Sequence, residues 1–236
     1  MPEVFKENVT LQHDIPLILS CAGLLHDLGN PPFGHFGEVI IGEWFTKQLN
    51  KDDFRFKGTP IKDLFNDQMK KDLCHFEGNA QAFRLLSKAR LNSNGHNPNL
   101  TYAVINTLIK YPANSSEINS DSEDIRIHKA GYFLSEQPLF EEVRSETGVF
   151  DVAQKDSHAR YPLTYLLEAA DDIAYATSDL EDALKKRMFT IHEFTKYVTD
   201  SLEKLPQGNK KDKSVELFSD LKPNWQAFPT KIQKRS

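Results

Sequence analysis

The chain contains little cysteine and little tryptophan, with two residues of each in 236. Cys21 and Cys74 are far apart and form none of the short spacings that cysteine metal sites use. We therefore expect both to be reduced thiols that pack as small apolar residues. We also find no internal repeat in the sequence.

Long apolar runs and a basic excess are missing as well. No apolar segment reaches the length of a membrane span, and the opening MPEVFKENVT lacks the apolar core of a signal peptide. We therefore expect a soluble, cytoplasmic protein without a membrane partner. The net charge is -5, with 34 Asp and Glu against 29 Lys and Arg, which gives no general basic field for duplex nucleic acid. Any binding of single-stranded nucleic acid has to be local, and the net charge does not support it.

The segment HDLGNPPFGHFGE, from His26 to Glu38, contains two histidines, two carboxylates and a turn stiffened by two prolines. The preceding IPLILSCAGLL is apolar on nearly all sides, which predicts a buried helix that delivers His26 and Asp27 from the core. Polar ligands at the end of such a helix are costly without a partner, and a divalent cation would offset that cost. The segment therefore predicts a metal site.

Two further features of this region have alternative interpretations. If the chain is helical after Gly34, His35 and Glu38 share one face, and Glu38 can orient the imidazole for proton transfer. The alternative is a surface histidine in an ordinary helix ion pair. The earlier pair His13 and Asp14 precedes Pro16 and an apolar run, which favours a helix start over a second metal site.

A second acidic segment, EAADDIAYATSDLEDA, begins at Glu168 and has apolar residues at helical spacing. Its other face carries acids and one tyrosine: Glu168, Asp171, Asp172, Tyr175, Asp179 and Asp182. Like charges on neighbouring turns repel, so we expect compensation by a divalent metal and by lysines from elsewhere. The alternative is a solvated acidic helix face.

Helical patterns dominate and strand signals are few, so the sequence predicts an all-α fold. The predicted helices are Ile15–Asp27, Gly34–Leu49 with Val39, Ile40, Trp44 and Phe45 as its apolar face, a short helix before Lys71, a helix ending at Arg90, one from Leu100 to Lys110, Pro138–Thr147, one from Pro162 through Ala183, and Ile191–Leu205. The residues 113–124 are mostly Ser, Asn, Asp and Glu, which predicts an exposed loop.

These motifs resemble those of the HD-domain deoxyguanosine triphosphate triphosphohydrolases, or dGTPases. The resemblance is carried in order by HDLGNPPFGHFGE, HFEGNAQ, KYP, KAGYF and EAADDIAY with SDLEDA, and it covers roughly Pro16 to Leu184. It implies an all-helical HD fold. We expect residues 1–204 to form a partial HD domain with its core motifs at 16–184, followed by a basic, poorly patterned tail at 205–236.

The resemblance also implies an activity. Members of the family hydrolyse dGTP and other dNTPs to a deoxynucleoside and inorganic triphosphate, with water attacking the α-phosphate. By resemblance, His26, Asp27 and Asp171 bind a divalent metal, Mg or Mn, while His35, assisted by Glu38, protonates or stabilises the leaving 5′-oxygen.

The substrate residues implied by the resemblance lie in the later motifs. Lys110, Tyr111 and Lys129 would contact the triphosphate or the sugar, as suits cations against several phosphate charges. Tyr175 would stack beneath the deoxyribose and exclude a 2′-hydroxyl, and Asn79 and Asp179 would complete the pocket. The family also tends to form symmetric assemblies, so we expect a homo-oligomer at full length.

The sequence departs from the family pattern at both ends. The Arg-x-x-His-Ser type motif that supplies a fourth metal ligand is not found before His26, and the family continues beyond the acidic helix. We therefore expect a fragment with weak metal affinity, poor solubility and low activity. The alternatives are another HD nucleotide phosphohydrolase or phosphodiesterase, or a catalytically impaired fragment that only binds nucleotide or a partner subunit.

Overall fold

The computed structural model describes residues 9–88, 99–149, 158–206, 208, 211–216 and 219, with side chains from residue 11 onward. Helices account for almost all of its regular structure, and the predicted all-α class is confirmed. The helices are α1 (Val9–Leu25), α2 (His35–Leu49), α3 (Ile61–Leu64), α4 (Asp67–Cys74), α5 (Gly78–Lys88), α6 (Tyr102–Thr107), α7 (Gln137–Glu146), α8 (Pro162–Lys185) and α9 (Ile191–Glu203). Short 3₁₀ turns cover Ile125–Ile127 and Leu134–Glu136.

A small antiparallel hairpin, which the sequence did not predict, precedes α3. Strand β1 (Arg55–Phe56) pairs with β2 (Thr59–Pro60), and Lys57 and Gly58 form the turn with φ angles of 49° and 86°. Two consecutive positive φ angles are typical of the type I′ turn that suits the twist of a hairpin.

The chain divides into two compact units, Met1–Asp171 and Asp172–Ser236, and α8 runs across the division. The core of the first unit has three apolar clusters. The largest contains Phe83, Ile105, Ile109, Tyr132, Phe140 and Val143, and the rings of Tyr132 and Phe140 stack 3.9 Å apart. A second joins Ala22, Leu86, Leu108 and Leu167, and a third joins Ala80, Ala130 and Phe133. These clusters fix the helices whose ends carry the polar residues described below.

The expectation of a buried helix before His26 is wrong. Among the α1 residues from Leu11 onward, whose side chains are described, only Ala22 is buried, whereas Leu17 and Leu24 are 54% and 87% exposed. The reason is that α1 meets the unit along one narrow face, where Ala22 packs with Leu86 and Leu167. The helix also begins at Val9 rather than near Asp14, and it ends at Leu25, so His26 and Asp27 lie in the turn that follows.

The predicted apolar face of α2 is also wrong, although its bounds are confirmed. Val39 and Trp44 are about half exposed, while the buried positions are Glu38, Gly42 and Leu49. Close packing at a small residue decides this orientation, because a Cβ atom added to Gly42 would lie 2.4 Å from the carbonyl oxygen of Cys74 on α4. The helix approaches α4 through its glycine rather than through its large apolar side chains.

The loop at residues 113–124 is present but is not exposed throughout. Ala113 and Ser115 are buried, at 0% and 3% exposure. Ala113 accepts a backbone hydrogen bond from Gly131, and the Ser115 hydroxyl donates to Asp72 at 2.5 Å. The buried polar side chain of Ser115 is therefore accommodated by its hydrogen bond to Asp72.

The second unit contains the remainder of α8 and the helix α9. A capping box starts α9, with the Thr190 hydroxyl accepting from the Glu193 backbone and the Glu193 carboxylate accepting from the Thr190 backbone. Phe189 and Phe194 stack 5.6 Å apart. The predicted helix end at Arg90 and most of the tail at 205–236 lie outside the described residues. No helix in the described ranges combines the length and hydropathy of a membrane span.

Candidate active site

The turn after α1 holds its shape through local hydrogen bonds. The backbone N–H of Asn30 donates to Asp27, and that of Gly34 donates to Pro31. The Asn30 side chain also donates to Asp27 Oδ1 at 2.9 Å. Phe33 and Gly34 both have positive φ, at 69° and 54°, and α2 begins immediately afterwards at His35. The turn thereby places His26 and Asp27 on one side and His35 on the other.

His26 is fixed by one hydrogen bond on its ring. Nδ1 lies 2.8 Å from the carbonyl oxygen of Gly23, which only accepts, so Nδ1 carries the proton. Nε2 lies 3.2 Å from Asp171 Oδ1 and 3.3 Å from Asp27 Oδ2. It is buried and has no hydrogen-bond partner in the described part of the chain. A nitrogen lone pair against two carboxylate oxygens is repulsive unless a proton or a metal cation lies between them.

Asp171, on α8, has a second partner that the sequence did not predict. The Lys110 ammonium donates to Asp171 Oδ2 at 3.0 Å, and both side chains are only 16% exposed. The backbone of Lys110 is held in place by the buried Arg160, which donates to the Lys110 carbonyl oxygen at 2.6 Å. Arg160 also donates to Glu168 at 2.7 Å. One predicted phosphate-binding lysine and one predicted metal ligand therefore form a direct ion pair.

The donor set around His26 was compared with that of a metal centre. Within the described ranges, no group of three or more His, Cys, Asp or Glu side chains is placed to hold an ion as it stands. The pairwise distances at Nε2 nevertheless suit shared ligation, since two atoms about 2.1 Å from one metal are roughly 3.0–3.4 Å apart at tetrahedral or octahedral angles. The buried, unpartnered Nε2 beside two carboxylates fits a divalent cation chemically. The metal at His26, Asp27 and Asp171 stays a prediction.

His35 and Glu38 lie in the first turn of α2 and contact each other. His35 Nδ1 donates to Glu38 Oε2 at 2.8 Å. The imidazole is 80% exposed, whereas the Glu38 side chain is 7% exposed. The other carboxylate oxygen, Oε1, accepts from the backbone N–H of Gly78 at 2.8 Å. Glu38 is thus anchored on α5 and presents an oriented imidazole to solvent.

Gly78 and Asn30 connect this pair to the turn that carries Asp27. A Cβ atom added to Gly78 would lie 2.4 Å from Asn30 Oδ1 and 2.8 Å from Glu38 Oε1. Asn30 in turn donates to Asp27. The HFEGNAQ motif therefore contacts both parts of the HDLGNPPFGHFGE motif, and only a residue without a side chain fits at the contact.

A second ionic cluster lies beside Glu38. Lys129 Nζ is 3.3 Å from both carboxylate oxygens of Glu77 and 4.0 Å from Glu38 Oε2. Glu77 also accepts from the Asn79 side chain at 2.8 Å. Burial raises the pKa of Glu77; Lys129 lowers it in part, and the nearby Glu38 raises it further. The ammonium of Lys129 therefore lies between two buried carboxylates.

Glu38, Glu77 and Lys129 border a cleft of about 800 Å³. Its polar lining includes His35, Glu38, Glu77, His128 and Lys129. Ligand sites in proteins commonly occupy about 300–1,000 Å³, so the cleft is large enough for a nucleotide-sized molecule. The exposed imidazole of His35 and the ammonium of Lys129 are both available at its surface.

The chain is similar in sequence to several known proteins. No protein-family profile matches. A deoxyguanosinetriphosphate triphosphohydrolase-like protein of Listeria innocua is 42% identical over 210 residues, which make up 88% of this chain and 42% of that protein. A deoxyguanosinetriphosphate triphosphohydrolase of Enterobacter sp. is 37% identical over 240 residues, covering 93% of this chain and 44% of that protein. One of Salmonella typhimurium is 36% identical over 226 residues, covering 84% and 42%.

The chain is homologous to deoxyguanosinetriphosphate triphosphohydrolases. The resemblance predicted from its motifs is thereby confirmed. The chain spans less than half the length of these curated relatives.

The two segments of this chain that contain the predicted triphosphate-binding residues contact each other directly. A Cβ atom added to Gly131 would lie 1.8 Å from the Tyr111 carbonyl oxygen, and the Gly131 N–H donates to Ala113. The KYP and KAGYF segments are therefore adjacent, with Lys110 paired to Asp171 and Lys129 paired to Glu77. Tyr111, which follows Lys110 in the KYP segment, is half-buried.

The remaining predicted substrate residues are placed differently. Asn79 is half-buried in the first turn of α5 and bonds to Glu77. Tyr175 and Asp179 lie on α8 in the second unit, four and eight residues beyond Asp171, and both are exposed. Their roles toward a sugar stay predictions.

Sequence reasoning missed Glu77 and the partners of the two lysines. Glu77 stands inside the HFEGNAQ motif, so the motif marked the segment without marking the residue. The ion pairs join residues 61 and 52 positions apart, which no local spacing rule reaches. The one usable signal was the acidic face of α8, which predicted compensating lysines from elsewhere.

Proposed function

We propose that this chain is the catalytic segment of a dGTP triphosphohydrolase. The enzyme would convert dGTP, and also other dNTPs, to the deoxynucleoside and inorganic triphosphate. The observation that carries the proposal is the contact chain from His26 through Asp27, Asn30 and Gly78 to Glu38, which unites a cation-seeking nitrogen with an oriented imidazole. The names of the homologues support the choice of reaction.

The metal in this proposal is Mg²⁺ or Mn²⁺. His26, Asp27 and Asp171 would hold it, and the hydrogen bond from Nδ1 to Gly23 already aims Nε2 at the two carboxylates. When bound, such an ion lowers the pKa of a coordinated water and neutralises phosphate charge. Lys110, paired with Asp171, would balance the negative charge of the site before and during substrate binding.

The His35–Glu38 pair would manage the leaving group. Glu38 accepts from Nδ1, so Nε2 of the exposed ring is the nitrogen that faces the cleft. As water oxygen bonds to the α-phosphorus and the bond to the 5′-oxygen breaks, Nε2 would donate its proton to that oxygen. Lys129 and Tyr111 would contact the phosphates, while Asn79, Tyr175 and Asp179 would contact the sugar.

The deciding experiment incubates the purified chain with dGTP and Mn²⁺ or Mg²⁺, with and without chelator, and resolves the products by ion-exchange chromatography. We expect metal-dependent release of deoxyguanosine and triphosphate in equal amounts. Release of dGMP with pyrophosphate, or of dGDP with phosphate, would identify another phosphohydrolase. Binding of dGTP without any product, with either metal, would identify a binding segment. Either result contradicts the proposal.

Variants assign the roles. His35→Gln should lower kcat roughly 10²–10⁴-fold, the usual contribution of a positioned acid or base, with little change in KM. His13→Gln is the matched control, because His13 is an exposed histidine of α1 that contacts only its neighbour Asp14 in the described structure. Equal activity of His35→Gln and the wild type would remove His35 from the mechanism. Self-assembly, cytoplasmic location and binding of single-stranded nucleic acid remain predictions.

A further inference from the structure

Glu38 Oε2 is approached by two donors from different elements. His35 Nδ1 donates to it at 2.8 Å from α2, and Lys129 Nζ lies 4.0 Å away on the segment before Gly131. Both donors draw on the same oxygen, because the other oxygen of Glu38 already accepts from the backbone N–H of Gly78. A carboxylate oxygen can accept two hydrogen bonds, but an ammonium that bonds to it takes up negative charge and so weakens the bond to His35. An ammonium has three donors and a full positive charge, so it is the stronger competitor.

Glu77 is the carboxylate nearer to Lys129. Its two carboxylate oxygens hold Lys129 at 3.3 Å, closer than Glu38 does. Asn79, two positions along the chain, also donates to the Glu77 carboxylate, at 2.8 Å. The Glu77 side chain is 9% exposed, so its attraction for the ammonium is weakly screened.

We propose that Glu77 is a positioning residue, which retains Lys129 and thereby leaves Glu38 Oε2 to His35. This role rests on the proposed function where turnover is concerned, but the competition for Oε2 exists without it. His35 is 80% exposed and is held by Glu38, so a lysine that moves about 1 Å onto Oε2 weakens the bond that orients the imidazole. The exposed ring then samples several rotamers and is seldom aimed at the cleft.

The first test is a set of four proteins: wild type, Glu77→Gln, Lys129→Met and the double variant. Gln has the shape of Glu and keeps an acceptor for Asn79, so the fold is retained while the charge is lost. The readout is the Nδ1 proton of His35 in ¹⁵N-edited NMR of histidine-labelled protein, which exchanges slowly while it is bonded to Glu38. We expect the signal in the wild type, in Lys129→Met and in the double variant, and its loss in Glu77→Gln alone.

The second readout is kinetic and uses the same proteins with dGTP. Glu77→Gln should lower kcat at least about 10-fold with little change in KM, since a positioned acid or base contributes roughly 10²–10⁴-fold. Lys129→Met should mainly raise KM, and adding Glu77→Gln to it should leave kcat unchanged. Glu77→Asp, which keeps the negative charge, should restore most of kcat. Asp52→Asn is the control, because Asp52, which precedes the hairpin, forms an exposed ion pair with Lys62 of α3.

The results separate positioning from support of the fold. A residue needed only for packing would lower kcat and the unfolding temperature alike in both backgrounds, and that outcome overturns the proposal. Retention of the Nδ1 signal in Glu77→Gln also overturns it. Absence of all turnover in the wild type, with the NMR pattern as expected, would reject the triphosphohydrolase function while the positioning role of Glu77 stands.

Discussion

Asp72 is the clearest case of a buried acid outside the candidate site. It is 8% exposed and accepts from the Ser115 hydroxyl at 2.5 Å and from the Leu134 N–H at 2.8 Å. Burial raises its pKa above the ordinary value of 3.8, and these hydrogen bonds offset only part of that rise. Between pH 3.8 and its raised pKa, the folded protein holds more protons than the unfolded chain. The free energy of unfolding therefore falls as the pH rises through this window.

Replacing Asp72 with Asn should remove the pH dependence that this residue contributes to the free energy of unfolding. The amide cannot ionise, so the unfolding free energy of Asp72→Asn should improve relative to the wild type as the pH rises above 3.8. Urea unfolding followed by circular dichroism at a series of pH values measures the difference. A difference that does not vary with pH would contradict the assignment of the buried charge.

Asp124 provides the control of opposite sign. Its hydrogen bonds to Arg126 lower its pKa to about 2. Its ionised form stabilises the fold above its ordinary pKa, and this contribution is lost as the pH falls toward 2. The free energy of unfolding of Asp124→Asn should therefore fall relative to that of the wild type as the pH rises from about 2 to 3.8.

At the residue scale, the sequence predicted what is local. His35 and Glu38 are three positions apart, and helical geometry alone brings them together. His26 was expected to need a partner because a buried helix would deliver it; that helix is largely exposed, and the need comes instead from the buried Nε2 atom. The ion pairs of Lys110 with Asp171 and of Lys129 with Glu77 could not be predicted as pairs, because they depend on how distant segments pack.

Among the elements, helix bounds were predicted better than helix faces. Helix α7 covers Gln137–Glu146 where Pro138–Thr147 was expected, and α9 begins at Ile191 as expected. The faces of α1 and α2 were wrong because the largest apolar side chains were assumed to mark the contact. Contact is made instead at Ala22 and Gly42, where small residues let the elements approach closely.

Gly29 tests this principle in the turn between α1 and α2. A Cβ atom there would lie 2.0 Å from the Gly78 carbonyl oxygen and 2.2 Å from the Ala82 nitrogen, which are backbone atoms that cannot turn aside. Gly29→Ala should therefore cost at least about 1–3 kcal/mol in the free energy of unfolding, the usual range for overpacking. Chemical denaturation measures the cost.

Gly23 is the matched control on the preceding helix. A Cβ atom at Gly23 meets nothing within 4 Å among the described residues. Gly23→Ala should be neutral or stabilise the protein by up to about 1 kcal/mol, because alanine favours the helix. Equal free energies of unfolding for Gly29→Ala and Gly23→Ala would contradict the close packing of the turn against α5.

At the scale of the molecule, the candidate site draws on segments from across the first unit. His26 follows α1, whereas Asp171 lies at the end of that unit in the sequence. A divalent ion shared by these residues would stabilise the folded state over the unfolded chain by mass action. The size of that effect depends on binding and does not depend on turnover.

Added Mn²⁺ should therefore raise the unfolding temperature of the wild type. At about 100 times the dissociation constant the gain is roughly 2.7 kcal/mol, or about 5–10 °C for a chain of this size. Differential scanning fluorimetry should show the shift, its reversal by chelator, and its absence in Asp171→Asn. Asp63→Asn, an exposed acid of α3, should keep the shift. An equal shift in Asp171→Asn would place the ion elsewhere.

The bond from the Gly78 N–H to Glu38 has a consequence for the order of folding. The two residues are 40 positions apart, so the chain between them has to close before the bond forms. Helix α2 needs only local contacts, whereas the partner that orients His35 becomes anchored when α5 docks on the turn. The pair that would move the proton is completed late, and recovered helix content does not report a recovered site.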